Sequence, residues 1–194
     1  VNAATTVNVT ATAVTKITGT STELATTYGG GLTGLGNEAI TVSDNITHTK
    51  ANTINGYTSG IVTATLSTTA IGDLDDLNGT NNAYTITVGT AQVNASALNI
   101  VNGATTINIT ATAVTQITGT AVQLATTYGG GMTGLGNEAI VLSNNITYTQ
   151  ANTINGYTSG VVTATLSTTA IGDLDDLAGT GNAYTITVAT GQVT

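Results

Sequence analysis

Residues 51–66 read ANTINGYTSGIVTATL, and they return at 151–166 as ANTINGYTSGVVTATL. The match extends over positions 1–94 and 101–194 at a constant offset of 100, with 19 differing positions among the 94 and no gap. A repeat of this length and closeness is the sequence signature of a tandem array. It also supplies an internal control, because any residue proposed for chemistry has a twin one hundred positions away.

The end of the quoted stretch has the alternation of a β-strand. In Val62–Leu66 the apolar side chains fall on one side, and Thr63 and Thr65 fall on the other. Residues 39–43, 84–88 and 107–111 show the same pattern. A two-residue period rich in β-branched side chains predicts a strand in each of these segments.

The beginning of the quoted stretch fits a short helix better. Residues 49–57 belong to a group of four such segments, with 21–28, 70–77 and 94–101. The clearest is Ser21–Tyr28, which has Ser and Thr at its start, Glu23 in its first turn and Gly29 after its end. Helices of about two turns are unstable alone in water, so we expect them to pack on the strands.

The predicted strands are spaced by roughly 22–25 residues, which is the length class of solenoid coils whose stacking supplies the core. The sequence therefore predicts a mainly-β fold, a parallel β-solenoid with a short helix in each coil of about 25 residues. The predicted core consists of Val62, Ala64, Leu66, Tyr84, Ile86, Val88, Ile107 and Ile109.

Two tandem immunoglobulin-like β-sandwiches are the alternative fold, because about 100 residues is the usual length of such a domain. The helical segments and the absence of Pro count against it. In the solenoid interpretation residues 1–100 form repeat 1 and residues 101–194 form repeat 2, an incomplete copy. We expect both to belong to one continuous solenoid cut from a longer array.

The composition narrows the possible partners. Charged residues are 6% of the chain, against a usual ~25%. The net charge of −8 opposes binding to nucleic acid or to anionic lipid, and no apolar run has the length of a membrane span. The lack of Cys excludes disulfides and thiolate metal sites. We therefore predict neither a nucleic-acid partner nor membrane insertion.

The comparison of the two copies argues against catalysis. The only histidine, His48, has Tyr148 as its twin, and Lys16 and Lys50 both become Gln in the second copy. The copies therefore share no His, Cys or Lys, and we predict a protein without enzymatic activity, catalytic residues or a resident cofactor. Glu38 and Glu138, which follow a glycine-rich stretch, are predicted to form capping or corner hydrogen bonds rather than half of a catalytic pair.

Clustered carboxylates are the one candidate metal site. Because Ca²⁺ takes six to eight oxygen ligands, we consider two repeated sets as candidate ligands. These sets are Asp73, Asp75 and Asp76, and their twins Asp173, Asp175 and Asp176. The spacing lacks the Gly and the distal Glu of an EF-hand loop. The competing interpretation is a short helix whose acidic first turn complements the helix dipole.

The strings TAVTQITGT (112–120), TGLGNEA (133–139) and YTSGVVTAT (157–165) resemble the Thr/Ala-rich repeats of giant bacterial cell-surface proteins, including those of marine cyanobacteria. Those proteins are adhesin-like or motility-associated. The resemblance implies an extracellular structural module, acting as a stalk, spacer or filament segment, whose partners are neighbouring repeats or other copies joined end to end. The alternative function is a ligand-binding module of an adhesin, for Ca²⁺, ice or glycan.

Overall fold

The computed structural model describes residues 4–189, which form an α/β fold with 28% helix and 24% strand. Strands and helices alternate along the chain. In chain order the elements are β1 (Lys16–Gly19), α1 (Ser21–Gly29), β2 (Ala39–Val42), α2 (His48–Asn55), β3 (Val62–Thr65), α3 (Ile71–Leu74), β4 (Ala83–Thr85), β5 (Gln92–Asn94), α4 (Ala95–Gly103), β6 (Gln116–Gly119), α5 (Ala121–Gly129), β7 (Ala139–Leu142), α6 (Tyr148–Asn155), β8 (Val162–Thr165), α7 (Ile171–Leu174) and β9 (Ala183–Thr185).

The prediction of a mainly-β solenoid is wrong, and so is the immunoglobulin-like alternative. The described strands form two all-parallel sheets that alternate with helices, whereas a sandwich of that kind needs antiparallel pairs. Parallel neighbours cannot be joined by a tight hairpin, so the chain crosses over between them, and here it does so through helices. The strands have only three or four residues, which gives the helices the larger share of the fold.

The chain divides into two compact units. Within the described residues, one comprises 4–87 and Val101–Ile109, and the other comprises Val88–Ile100 and 110–189. The first contains a sheet with the strand order β1-β2-β3-β4, and the second contains a sheet with the order β5-β6-β7-β8-β9. Neighbours in each sheet are consecutive in the chain.

The register of the sheets aligns apolar side chains across the strands. Ile40 pairs with Ile17 on one side and with Val62 on the other, and Ile40 and Val62 are fully buried. The corresponding row of the second unit consists of Ile117, Ile140 and Val162, all fully buried. Burial of such side chains stabilises the fold by about 1.5–3 kcal/mol each.

Seven of the eight predicted core residues are buried, and Ile107 is the exception, with 39% of its surface exposed. Residues around Ile107 do not form a strand. The Ile107 N–H donates instead to Thr105 Oγ1 at 3.1 Å, a local turn that ends the alternation on which the prediction relied.

The four predicted helices are present as α1, α2, α3 and α4. Thr20 and Thr47 cap α1 and α2, because each side-chain oxygen accepts a hydrogen bond from a first-turn N–H. These helices bury Leu24 and Ile54 respectively. None of the helices in the described part of the chain is long and apolar enough to cross a membrane.

Asparagine side chains connect successive segments of the chain. Asn52 Nδ2 donates to the Asp76 carbonyl oxygen at 2.9 Å, and Asn52 Oδ1 accepts from the Asn78 N–H at 2.8 Å. Asn152 makes the equivalent pair of bonds in the second copy. Because one amide supplies both a donor and an acceptor, it can join two neighbouring stretches of main chain without any charge.

Two buried side-chain polar atoms in residues 4–189, the hydroxyls of Tyr84 and its twin, lack a hydrogen bond. Tyr84 is fully buried, and no described atom of the protein forms a hydrogen bond with its hydroxyl. Burial raises the pKa of Tyr84 to about 12. Its twin Tyr184 shares the unbonded hydroxyl. An unpaired buried hydroxyl lowers the free energy of unfolding, and this chain has one such hydroxyl in each copy.

Tyr84→Phe is therefore expected to raise the free energy of unfolding by about 1 kcal/mol, because it removes an unpaired polar atom and keeps the ring. Urea denaturation of the whole chain measures the change. Tyr28→Phe is the matched control, since the Tyr28 hydroxyl bonds Glu38 and its loss should destabilise the protein. A destabilised Tyr84→Phe protein would show instead that the hydroxyl has a partner such as a buried water.

Candidate functional site

The predicted Ca²⁺ ligands lie around two short helices. Asp73 is in the first turn of α3, and Asp75 is its C-terminal cap residue. Asp173 and Asp175 occupy the same places in α7. Among residues 4–189, no three His, Cys, Asp or Glu side chains form a group that could hold a metal ion. The assignment of Ca²⁺ to Asp73, Asp75, Asp76, Asp173, Asp175 and Asp176 stays a prediction.

His48 is positioned through its main chain. It is the first residue of α2, and its N–H donates to Thr68 Oγ1 at 3.0 Å. The N–H of Tyr148 forms the same bond with Thr168 Oγ1 at 3.1 Å. The shared backbone bond explains why the two copies tolerate different side chains at this place.

A buried carboxylate is the most constrained polar group that both copies share. Glu38 has 1% of its surface exposed, and Glu138 has the same value. Glu38 Oε1 accepts a hydrogen bond from the Tyr28 hydroxyl. Glu38 Oε2 accepts from the Gly36 N–H at 2.8 Å and from the Asn37 N–H at 3.1 Å. The predicted role of Glu38 as a hydrogen-bonding corner residue is confirmed.

The surroundings of Glu38 join three parts of the first unit. The Tyr28 ring, at the end of α1, stacks on Tyr57 with a centroid distance of 4.6 Å and an interplanar angle of 13°. Thr58 Oγ1 donates to the Glu38 carbonyl oxygen at 2.6 Å. A Cβ on Gly60 would collide with that carbonyl group, which requires glycine at this position. We call this set the tyrosine–glutamate cluster.

The second copy repeats the cluster. Its stacked rings are 4.7 Å apart at 13°, and its hydroxyl–carboxylate and carbonyl contacts are the same. The equivalent residues are Tyr128, Gly136, Asn137, Glu138, Tyr157, Thr158 and Gly160. Two independent places in the chain therefore fold around the same arrangement.

The hydrogen bonds of the cluster determine which group carries the proton. Burial raises the pKa of the Glu38 carboxyl, but the Tyr28 hydroxyl and the backbone N–H groups oppose it and together hold the pKa below its usual value. Burial, and then the hydrogen bond and charge of Glu38, raise the pKa of Tyr28. The carboxylate is charged, paired and shielded from solvent, which suits an anchor for the loop rather than a general base that must reach a substrate.

A second polar group lies beside a groove between α1 and α2. The groove has a cavity of about 230 Å³ and includes Ser21, Lys50 and Tyr57 in its lining. Asp44 accepts from the Ser21 N–H at 2.7 Å and from Ser21 Oγ at 2.8 Å. Lys50 Nζ donates to Ser21 Oγ at 3.2 Å. The bonds from Ser21 lower the pKa of Asp44, with a smaller effect from the charge of Lys50.

Sequence reasoning missed this group because its members lie 23 and 29 positions from Ser21. A signal was present, since all three residues change together in the second copy, to Ala121, Asn144 and Gln150. Ser21 lacks the neutral base that activates a serine nucleophile, because its hydroxyl donates to a carboxylate that is itself a weak base. The arrangement fits a surface link between elements better than a catalytic centre.

Glu38→Gln is expected to lower the free energy of unfolding by about 2–3 kcal/mol, since a neutral amide oxygen is a weaker acceptor for the Gly36 and Asn37 N–H groups and the NH₂ removes the acceptor of the Tyr28 hydroxyl. Glu138→Gln should have a similar effect. Glu23→Gln is the matched control, because Gln123 caps α5 as Glu23 caps α1. Urea denaturation measures all three, and a Glu38→Gln protein as stable as the control would contradict the anchoring role.

The same carboxylate predicts acid sensitivity. A group whose pKa is lower in the folded state stabilises the protein fully above its unfolded pKa of about 4.3, and this contribution is lost as the pH falls through the folded pKa. The free energy of unfolding should therefore fall on acidification below about pH 4.3. In Glu38→Gln the fall should be shallower. Parallel curves for the two proteins would exclude Glu38 as a source.

The chain matches no protein-family model, no curated protein and no solved structure. Its function is therefore inferred from the contacts of its own residues.

Proposed function

We propose that the chain is a non-enzymatic structural repeat module of a large extracellular or cell-surface protein. It serves as a stalk, spacer or filament segment, and the length of the whole array increases with the number of copies. Its partners are neighbouring repeats of the same protein, or other copies of the chain joined end to end. The resemblance of the sequence to bacterial surface repeats supports this location.

The observation that carries the proposal is how the first compact unit is completed. Residues 101–109 belong to the second copy by sequence, yet they are part of the first unit. Thr105 Oγ1 donates to the Tyr84 carbonyl oxygen at 2.8 Å and accepts from the Tyr84 N–H at 3.0 Å. The Thr106 N–H donates to the Asn82 carbonyl oxygen at 2.8 Å. A unit that is completed by the next copy is a natural element of an array.

The exposed apolar residues point to the same partner. Ile86 is 1% exposed, while its twin Ile186 is 43% exposed. Val7 is 72% exposed, while its twin Ile107 is 39% exposed. In the first unit Thr105 and Thr106 bond the main chain of Tyr84 and Asn82, whose twins beside β9 are Tyr184 and Asn182. Residues equivalent to 101–109 in another copy have the sequence to form the same bonds there.

The pattern of change between the copies supports a structural role. The tyrosine–glutamate cluster and the bonds of Asn52 recur in full, whereas His48 and the group of Ser21, Asp44 and Lys50 do not. Selection for a shared framework retains packing and hydrogen bonding. A shared reaction would require the reactive groups to recur as well.

Small-angle scattering on arrays of two, four and six copies tests the spacer function. The maximum dimension should increase by a constant increment per copy, since each copy completes its neighbour. The control array carries Asp at Ile109 and at its equivalents, a fully buried position in the segment that completes the unit. Its increments should shrink or vanish. Growth of the original array with the square root of copy number, as for flexibly linked beads, would contradict the proposal.

A further inference from the structure

The chain contains four Asn-Gly pairs, at 55–56, 78–79, 102–103 and 155–156. Such a pair can modify itself. The backbone nitrogen of Gly, unhindered by a Cβ, attacks the side-chain carbonyl carbon of Asn and expels ammonia, which closes a succinimide ring. Water then opens the ring to give aspartate or isoaspartate. The reaction needs a Gly nitrogen that is free to attack and an Asn side chain that is free to rotate.

Three of the four pairs are held by helices. Asn55, Asn102 and Asn155 are all helical residues. The Gly56 N–H donates to the carbonyl oxygens of Asn52 and Thr53, both at 3.1 Å. The Gly156 N–H is bonded in the same way, and Gly103 is itself the last residue of α4. In these pairs the attacking nitrogen is engaged, and the helical backbone must open locally before the ring can close.

The side chains add to this protection. Asn55 Oδ1 accepts from Asn82 Nδ2 at 2.9 Å, and Asn155 Oδ1 accepts from Asn182 Nδ2 at 2.8 Å. The side-chain carbonyl groups that would be attacked are therefore fixed by a second segment of the chain.

Asn78 differs in each respect. It lies outside every helix and strand, and both Asn78 and Gly79 are exposed. Its backbone N–H is fixed by Asn52 Oδ1, but no described residue bonds its side chain or the Gly79 N–H. Gly79 has a φ of +86°, a conformation that side-chain-bearing residues rarely adopt. The turn thus retains glycine at the attacking position and leaves the attacked side chain free.

The second copy provides a natural control for this site. Ala178 replaces Asn78, and the turn is otherwise the same, since the Ala178 N–H donates to Asn152 Oδ1 at 2.7 Å and Gly179 has a φ of +85°. The fold of the turn therefore does not require asparagine. The capacity for reaction differs between two turns of equal backbone geometry.

We propose that Asn78-Gly79 is a site of spontaneous, water-dependent deamidation in the folded protein. The product carries a new carboxylate next to Asp75 and Asp76, so the reaction adds one negative charge to an already acidic turn. In the isoaspartate product the main chain is one carbon longer between the N–H held by Asn52 and Gly79, which packs against the side chain of Asn55. The modification loosens the connection between α2 and this turn. This inference does not depend on the proposed function.

Peptide mapping by mass spectrometry tests the site after incubation of the whole chain at mildly alkaline pH in H₂¹⁸O. Residue 78 should gain about one mass unit plus the ¹⁸O increment of ring opening. This gain should be at least about tenfold faster than at residues 55, 102 and 155. A tenfold difference in rate corresponds to ~1.4 kcal/mol for the local opening of a helix. In denaturing urea the four rates should converge, because the sequences are alike and the structural protection is gone.

Asn78→Ala, which copies the turn of the second repeat, should fold normally and lack the modification at residue 78 while the slow background at the other three pairs persists. Two results would overturn the proposal. One is a residue 78 that reacts no faster than the three helical asparagines in the folded chain. The other is a rate order in the folded chain that equals the order in urea.

Discussion

Parallel pairing of very short strands is the constraint on which the rest of the structure depends. A strand of three or four residues forms few ladder bonds, and its parallel neighbour must be reached by a crossover. The helices that make the crossover have nine residues or fewer and are unstable alone. Each element is therefore stable only against the others. In the first sheet the paired, fully buried side chains of Ile40 and Val62 form part of the core on which these elements depend.

With so few charges, the fold relies on neutral hydrogen bonds to order its loops. Thr and Asn supply most of them, from the helix caps of Thr20 and Thr47 to the bridging amide of Asn52. A neutral bond gains about 0.5–1.5 kcal/mol net, and unlike a surface ion pair it is not weakened by salt. The threonine-rich composition is thus explained by structure, since the same residues form strands, cap helices and bond the neighbouring main chain.

The sequence predicted local structure better than fold class. Alternation identified β3, and Ser21 and Gly29 bounded α1, because these signals are contained within a few residues. The predicted fold class was wrong because the alternation of Thr with apolar residues is the same in a solenoid coil and in a parallel strand that a helix joins to its neighbour. Strand β5, with a single buried residue at Val93, has too short a pattern to be seen. The turn at Thr105 that exposes Ile107 depends on a contact with Tyr84, 21 positions away, which no local pattern contains.

For the candidate sites as well, the sequence predicted roles that depend on neighbouring residues and missed contacts between residues far apart in the chain. Glu38 was recognisable as a corner residue because a glycine-rich stretch precedes it, but its partner Tyr28 belongs to a helix on the far side of that stretch. The presence of the same Tyr–Glu contact in both copies indicates that its two members depend on each other. A buried charge left without its donors is strongly destabilising, so neither member of the pair can change alone. In the group of Ser21, Asp44 and Lys50, Ser21 is buried, but both charged side chains keep contact with solvent. That group therefore holds no fully buried charge, and it was replaced entirely in the other copy. The two copies therefore share the interactions whose loss would destabilise a unit most. The positions that differ between the copies mark the places at which individual repeats can diverge.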